Sequence, residues 1–427
     1  MNDKPSFGAL ARASFKIGCL GFGGPAGQIA LMHRVFVEEN KWICEAQYLH
    51  ALNYCMLLPG PEAQQLATYV GWLLHGVRGG VVAGALFVLP GAVVVFALSW
   101  LYVMHGAAPA VAALFVGVKA AVLGFIVDAL ARIGRRALRR GVDVAVAAAA
   151  FAALYLFGAP FPFVISAAAL IGAVTLPAET ADAVEVEQAQ PSARKALMTA
   201  AGWGALWLAP VALLLVALGP EHVLTQVSLL FSQLAVVTFG GAYAVLAYLQ
   251  QQAVDVHAWL APGQMIDGLG LAETTPGPLI LVNQFVGFLA GWQADGGGFW
   301  LALAAAALAS WCTFAPSFVW IFAGAPYAEH LRRNRYAAGA LRAVTAAVLG
   351  VIASLALWFG LHVLFAAHAD VTAPWGRALA LPDVSSFQWI AALIALAAAI
   401  ALMRFKTNAA LVVIACALAG WAAYALL

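Results

Sequence analysis

Phe22-Gly23-Gly24-Pro25 and Pro59-Gly60-Pro61 each interrupt a strongly apolar stretch, and Phe239-Gly240-Gly241 and Pro276-Gly277-Pro278 interrupt two more. A broken helix in a membrane leaves backbone N–H and C=O groups unpaired, which is tolerated only inside protein or beside water. Glycine supplies unusual φ/ψ, and proline fits the first turn of the next helix because its missing N–H would be an orphan there. Gly24-Pro25, Gly60-Pro61 and Gly277-Pro278 therefore read as starts of half-helices. Each offers unpaired N–H donors and the positive end of a dipole, which is chemistry for an anion. Polar side chains nearby fit the same use: Gln28, Gln64 and Gln65, Thr274 and Thr275, Asn283 and Gln284. For any single break a kink or close packing is the simpler account. Breaks paired at matched positions favour binding.

Ionisable groups at membrane depth are costly and usually functional. Lys119 could balance a negative substrate or pair with Asp128 or another carboxylate, and the sequence leaves both open. Arg342, close to a basic face, reads as structural. Glu62 and Glu273 flank the two Pro-Gly-Pro motifs and are candidate proton carriers, with helix capping the competing role for Glu62. The nine histidines and five cysteines show no metal-ligand spacing and no CxxC pair, so neither a metal nor a cofactor is expected. No nucleophile with its base and no nucleotide-binding loop is present, so the chain does not read as an enzyme, and nothing marks a nucleic-acid partner.

These residues repeat. Phe22-Gly23-Gly24, Trp42 and Pro59-Gly60-Pro61 return 217 residues later (22 to 239, 42 to 259, 59 to 276). Val118 to Gly124 returns as Val344 to Gly350 and Pro90 as Pro316, at an offset of 226, so nine residues have entered half two, with Asp295 to Gly298 the expected place. The chain of 427 residues is 64% hydrophobic and 9% charged, far below the roughly one-quarter charge of soluble domains. Its apolar runs are continuous, which excludes a transmembrane barrel. The expectation is an all-α polytopic membrane protein with roughly 10 to 14 spans.

The basic cluster Arg132 to Arg140 follows the helix of Lys119, whereas Arg332, Arg333 and Arg335 precede the matching helix of Thr345. If both clusters are cytoplasmic, the repeats are inverted, as in many secondary transporters. The expected domains are a first repeat over 1–176, an acidic cytoplasmic linker over 177–197, and a second repeat over 198–427 with core 223–366 and extra C-terminal helices. Arg12, Arg34, Lys41 and Arg78 all read as inside, so segments 6–33 and 46–76 are either re-entrant hairpins, the simpler choice, or broken full spans. The N-terminus, lacking a signal-peptide pattern, is expected to be cytoplasmic.

Phe22-Gly23-Gly24-Pro25 and Leu57-Leu58-Pro59-Gly60-Pro61 with Gln64-Gln65-Leu66-Ala67, echoed by Phe239-Gly240-Gly241 and Thr275-Pro276-Gly277-Pro278, resemble the chromate ion transporter (CHR) family in its long two-domain form. The resemblance implies a bacterial inner-membrane exporter of chromate that confers resistance, with sulfate as a competitor. Its motif residues fall on Gly23, Gly24, Pro25, Pro59, Gly60, Pro61, Gln64, Gln65, Gly240, Gly241, Pro276, Gly277 and Pro278. Another oxyanion, an anion channel and a structural scaffold are the alternatives, and a homodimer is one assembly the sequence allows. Ala242 stands where Pro25 would repeat, and Leu279 where Glu62 would, so the two halves are not expected to carry equivalent sites.

Overall fold

A computed structural model describes residues 4–22, 24–175, 192–239, 242–327, 335–375 and 377–426. Gly23, Gly240, Gly241, Arg332, Arg333 and linker residues 177–191 lie outside them. The helices, in order, are α1 (Phe7–Leu20), α2 (Gly24–His33), α3 (Glu45–Cys55), α4 (Glu62–His105), α5 (Pro109–Ala137), α6 (Gly141–Tyr155), α7 (Phe161–Thr175) and α8 (Ala193–Leu218). They continue with α9 (Val223–Val237), α10 (Ala242–Gln250), α11 (Pro262–Thr274), α12 (Val282–Gln293), α13 (Phe299–Gly324), α14 (Arg335–Leu364), α15 (Trp389–Phe405) and α16 (Ala409–Leu426).

This is an all-α polytopic membrane protein. Among the described residues, six helices are long and apolar enough to cross a bilayer: α4, α5, α8, α13, α14 and α16. The one sheet described is an antiparallel hairpin, His368–Thr372 with Ala378–Pro382, in a stretch where no apolar segment is expected. α8 begins at Ala193, so the last five residues of the expected linker are already helical.

The chain divides into two compact units, neither of which follows the sequence halves. One comprises residues 1–99, 179–242 and 275–337; the other comprises 100–178, 243–274 and 338–427. In the first, α13 packs on α8, α9 and α12, with Trp207 set against Ala315 and Val319. Trp311 Nε1 donates to Trp207 O at 3.2 Å. In the second, Val118, Ala121 and Phe125 of α5 pack on Ala398, Val412, Val413 and Cys416 of α15 and α16. Lipid tails are as apolar as the side chains, so such contacts rest on close packing of small residues. A Cβ at Gly117 would come within 1.8 Å of Cys416 O, so only glycine permits this approach.

The duplication is visible in the backbone. The helix after each Phe-Gly-Gly widens into a π turn, Arg34–Glu39 in one half and Gln251–Val256 in the other, and these spans are exact 217-residue mates. Each ends at a left-handed residue, Lys41 (φ 52°) and Ala258 (φ 50°). Trp42 N–H then donates to Phe36 O at 2.9 Å, and Trp259 N–H to Ala253 O at 2.8 Å. The next helix is capped by a glutamine in both copies, Gln47 on Cys44 N–H (3.2 Å) and Gln264 on Ala261 N–H (2.9 Å). α2 runs on without a break through its π turn to Glu39, whereas α3 is short, 11 residues, about 16 Å at 1.5 Å per residue, roughly half of a 30 Å hydrocarbon core.

Candidate functional site

Within the first unit the breaks of both sequence halves meet. Gly60 and Gly277 hold φ of +112° and +96°, a left-handed region favouring glycine, and the turns they make aim their N–H groups across the repeat. Gly60 N–H donates to Thr238 O at 2.9 Å, and Gly277 N–H donates to Gly21 O at 3.1 Å. Thr238 is the 217-residue mate of Gly21, as Gly277 is of Gly60. The two bonds are therefore one interaction made twice with the partners exchanged, as two segments related by a local two-fold would make it. Gln28 adds an asymmetric clasp. Its Nε2 donates to Gly277 O at 2.5 Å and Gly21 O at 3.1 Å, and the side chain is fully buried.

A narrow cavity of about 20 Å³, room for about one water, opens among these turns, lined by Pro25, Gln28, Gly60, Pro61, Glu62, Ala63, Thr238, Pro278, Leu279 and Ile280. Pro61-Glu62-Ala63 and Pro278-Leu279-Ile280 are repeat mates. Both triplets open helical turns, α4 at Glu62 and a 3₁₀ turn over Leu279–Leu281 leading into α12. First-turn N–H groups have no partner within their own helix, so two sets of orphan donors line one space. None of the lining side chains is basic. Glu62, half-buried, makes no hydrogen bond or ion pair among the described residues and brings the only ionisable group to the lining. Gln28 Oε1 is buried and also has no partner.

Of the residues singled out in the sequence, Pro25, Gln28, Gly60, Pro61, Pro278 and Glu62 line this cavity. Gly24 (φ +70°) opens α2, and Gly277 contributes the carbonyl held by Gln28. The others are placed differently. Gln65 Nε2 donates to Pro59 O at 2.7 Å and so braces the turn itself. Gln64 is fully buried with both polar atoms unpartnered, and Gly84 lies close, since a Cβ there would meet Gln64 Nε2 at 3.2 Å. Asn283 donates to Thr313 Oγ1 at 3.0 Å; Gln284 donates to Ala92 O at 2.8 Å and accepts from Ser310 Oγ at 3.0 Å. Expected as anion donors, both instead tie α12 to its neighbours, because α12 is buried along nearly its whole length. Thr274 Oγ1 bonds back to Leu271 O at 2.8 Å in its own helix, and Thr275 is buried beside Pro276.

Three charged candidates belong to the second unit. Lys119 Nζ lies 3.5 Å from Asp267 Oδ1, and Tyr102 Oη donates to Asp267 Oδ2 at 2.8 Å. Of the two roles open to Lys119, the structure contains the ion pair, with Asp267 and not Asp128 as partner. Asp128 is engaged by Arg132 at 2.8 Å. Glu273 accepts a hydrogen bond from Tyr243 Oη. Arg342 has the structural role expected, 2.8 Å from both oxygens of the buried Asp143.

Two site residues escaped the sequence reading. Asp267 is an intramembrane carboxylate, and that alone is a signal. Thr238 was available as the repeat mate of Gly21.

No solved structure matches the chain. The sequence profile described as Chromate transporter matches residues 8–173 and 225–421. The chromate transport protein of Pseudomonas aeruginosa is 36% identical over 291 residues, 67% of each chain. That of Cupriavidus metallidurans is 28% identical over 417 residues, 96% of this chain and 92% of its own. The probable chromate transport protein of Synechococcus elongatus is 29% identical over 357 residues, 82% of this chain and 84% of its own. With both halves matched, the chain belongs to the Chromate transporter family.

Proposed function

We propose that the protein is a secondary transporter that exports chromate from the cytoplasm across the inner membrane and so confers resistance. The observation that carries this reading is the cavity at which Pro61-Glu62-Ala63 and Pro278-Leu279-Ile280 bring two sets of orphan N–H donors together. A tetrahedral dianion suits donors arriving from two helical ends, and no lining cation is needed where dipoles converge. Glu62 opposes an anion while charged, so binding requires it neutral, which makes it the proton-coupling candidate over Glu273, whose carboxylate is already held by Tyr243. An inside-negative potential favours exit of two charges by about 4.6 kcal/mol per 100 mV. A proton leaving with the dianion would halve that gain without reversing it.

Inverted repeats with the short hairpins re-entering from one face agree with the half-length α3. Sulfate has the same charge and shape, and the cavity's donors do not separate the two ions. The test is counterflow of labelled chromate in proteoliposomes holding the purified chain, with unlabelled sulfate as competitor. Accelerated exchange is expected; flux without counterflow would mark a channel, and no flux would leave a scaffold.

A further inference from the structure

In the second unit, Arg136 of α5, Arg139 and Arg140 of the α5–α6 connection, and Arg342 of α14 line a cavity of about 310 Å³ together with Ala137 and Thr345. The nearby carboxylate, Asp143, does not neutralise the group. It is fully buried, receives Arg342 Nη2 on both oxygens at 2.8 Å, and accepts the backbone N–H groups of Arg139 (3.1 Å) and Arg140 (2.9 Å). Its lone pairs are thereby committed to one guanidinium and to the start of α6. The side chains of Arg136, Arg139 and Arg140 make no ion pair among the described residues, and Arg342 spends only Nη2 on Asp143. Thr345 Oγ1 donates to Leu341 O at 2.8 Å, so the free donors facing the space are guanidinium N–H groups.

Three uncompensated cations and part of a fourth converge on a concave site where a membrane helix gives way to a polar connection. Planar guanidinium forks match the oxygens of phosphate-like anions. Basic pockets where membrane helices meet polar connections take anionic headgroups. We propose that this arginine basket binds a phosphate-type oxyanion, presented by the headgroup of an anionic phospholipid or free in solution.

The full-length protein, purified in neutral detergent, is titrated with phosphatidylglycerol in mixed micelles in one arm. In the other it is titrated with sodium sulfate at constant ionic strength, and Tm is followed in both. Phosphatidylcholine is the blank. Stabilisation of the wild type by either probe is expected. The half-saturating concentration should rise about a hundredfold in Arg136→Gln/Arg139→Gln/Arg140→Gln and about fivefold in Arg136→Gln alone. A response confined to the lipid arm assigns the headgroup, and a sulfate response that Arg136→Gln weakens assigns a free oxyanion. Superimposable titrations of variant and wild type in both arms, or no response of the wild type, would overturn the proposal. Arg136 is exposed and bonds to nothing the fold needs, so Arg136→Gln decides should the triple variant not fold.

Discussion

The two breaks that face each other share a backbone and differ in chemistry. Residues 21–61 and 238–278 agree in their π turns, their left-handed residues, their glutamine caps and their exchanged Gly N–H bonds. Side chains at the cavity do not agree. Gln28 corresponds to Val245 and Glu62 to Leu279, so the clasp and the only ionisable group of the cavity come from half one. Backbone geometry is what both copies need to keep a broken helix satisfied inside a membrane, whereas a single cavity needs only one set of functional side chains.

The sharpest way to break that comparison is to restore symmetry with Leu279→Glu. A second carboxylate at the cavity would meet both Glu62 and the substrate, a repulsion on the order of several kcal/mol at an effective dielectric near 20. Chromate counterflow should vanish, whereas Glu62→Gln should tighten chromate binding in a titration of the purified protein; normal transport by Leu279→Glu would dismiss the cavity as the site. Next in size is Gln28→Val, which copies half two and leaves Gly277 O buried without its donor, a loss of about 1–3 kcal/mol. Counterflow should fall about tenfold to a hundredfold, and an unchanged rate would show the clasp to be dispensable.

Gly60→Ala and Gly277→Ala should each cost about 1–2 kcal/mol through the left-handed backbone, with crowding against Gln65 Nε2 (3.0 Å) and Leu281 Cδ1 (3.1 Å) respectively. Comparable drops in Tm are expected, and a large inequality would deny that the two turns are equivalent.

The smallest effect lies at the π turns. In half one His33 Nδ1 meets Glu38 at 3.1 Å and Nε2 meets Glu45 at 2.6 Å; in half two the mates Gln250 and Asp255 make a 3.1 Å hydrogen bond instead. The hydrogen bond with Glu45, which outweighs an opposing desolvation, and then the charges of Glu45 and Glu38 hold the His33 imidazole above its usual 6.5. A raised folded value means that this contribution is complete below pH 6.5 and fades as pH rises through the folded value. Hydrogen exchange over 34–45, corrected for intrinsic rate, should quicken from pH 6 to 8.5, with no such step over 251–262. Equal behaviour of the two stretches would remove His33 as the cause.

Much of this was legible in the residues. Gly-Pro pairs in apolar surroundings can mean little except helix starts, and α2 and α4 begin where Pro25 and Pro61 require. An offset of 217 residues foretold the matched backbones. Which break faces which was not legible, because the exchange of Gly60 and Gly277 bonds is a long-range pairing that leaves no local trace. The polar residues were the hardest to assign. Gln28 and Gln284 look alike in sequence, yet one clasps the cavity and the other stitches α12 to α4 and α13, a choice made by helix rotation. Lys119 was recognised as needing a counter-charge, but its partner Asp267 sits 148 positions further on, in an unremarked Met-Ile-Asp-Gly run.

The exchanged bonds between Gly60 and Thr238 and between Gly277 and Gly21 bear on how such a molecule could arise. A chain carrying one repeat could form them only with a second copy of itself, each protomer donating once and accepting once. Joining the copies turns that encounter into an intramolecular one, at the millimolar effective concentration of a short tether. It also frees the copies to differ. A symmetric pair would have to place two Glu62 carboxylates and two Gln28 clasps around one space, whereas the fused chain keeps one of each and carries Leu279 and Val245 at the matching sequence positions.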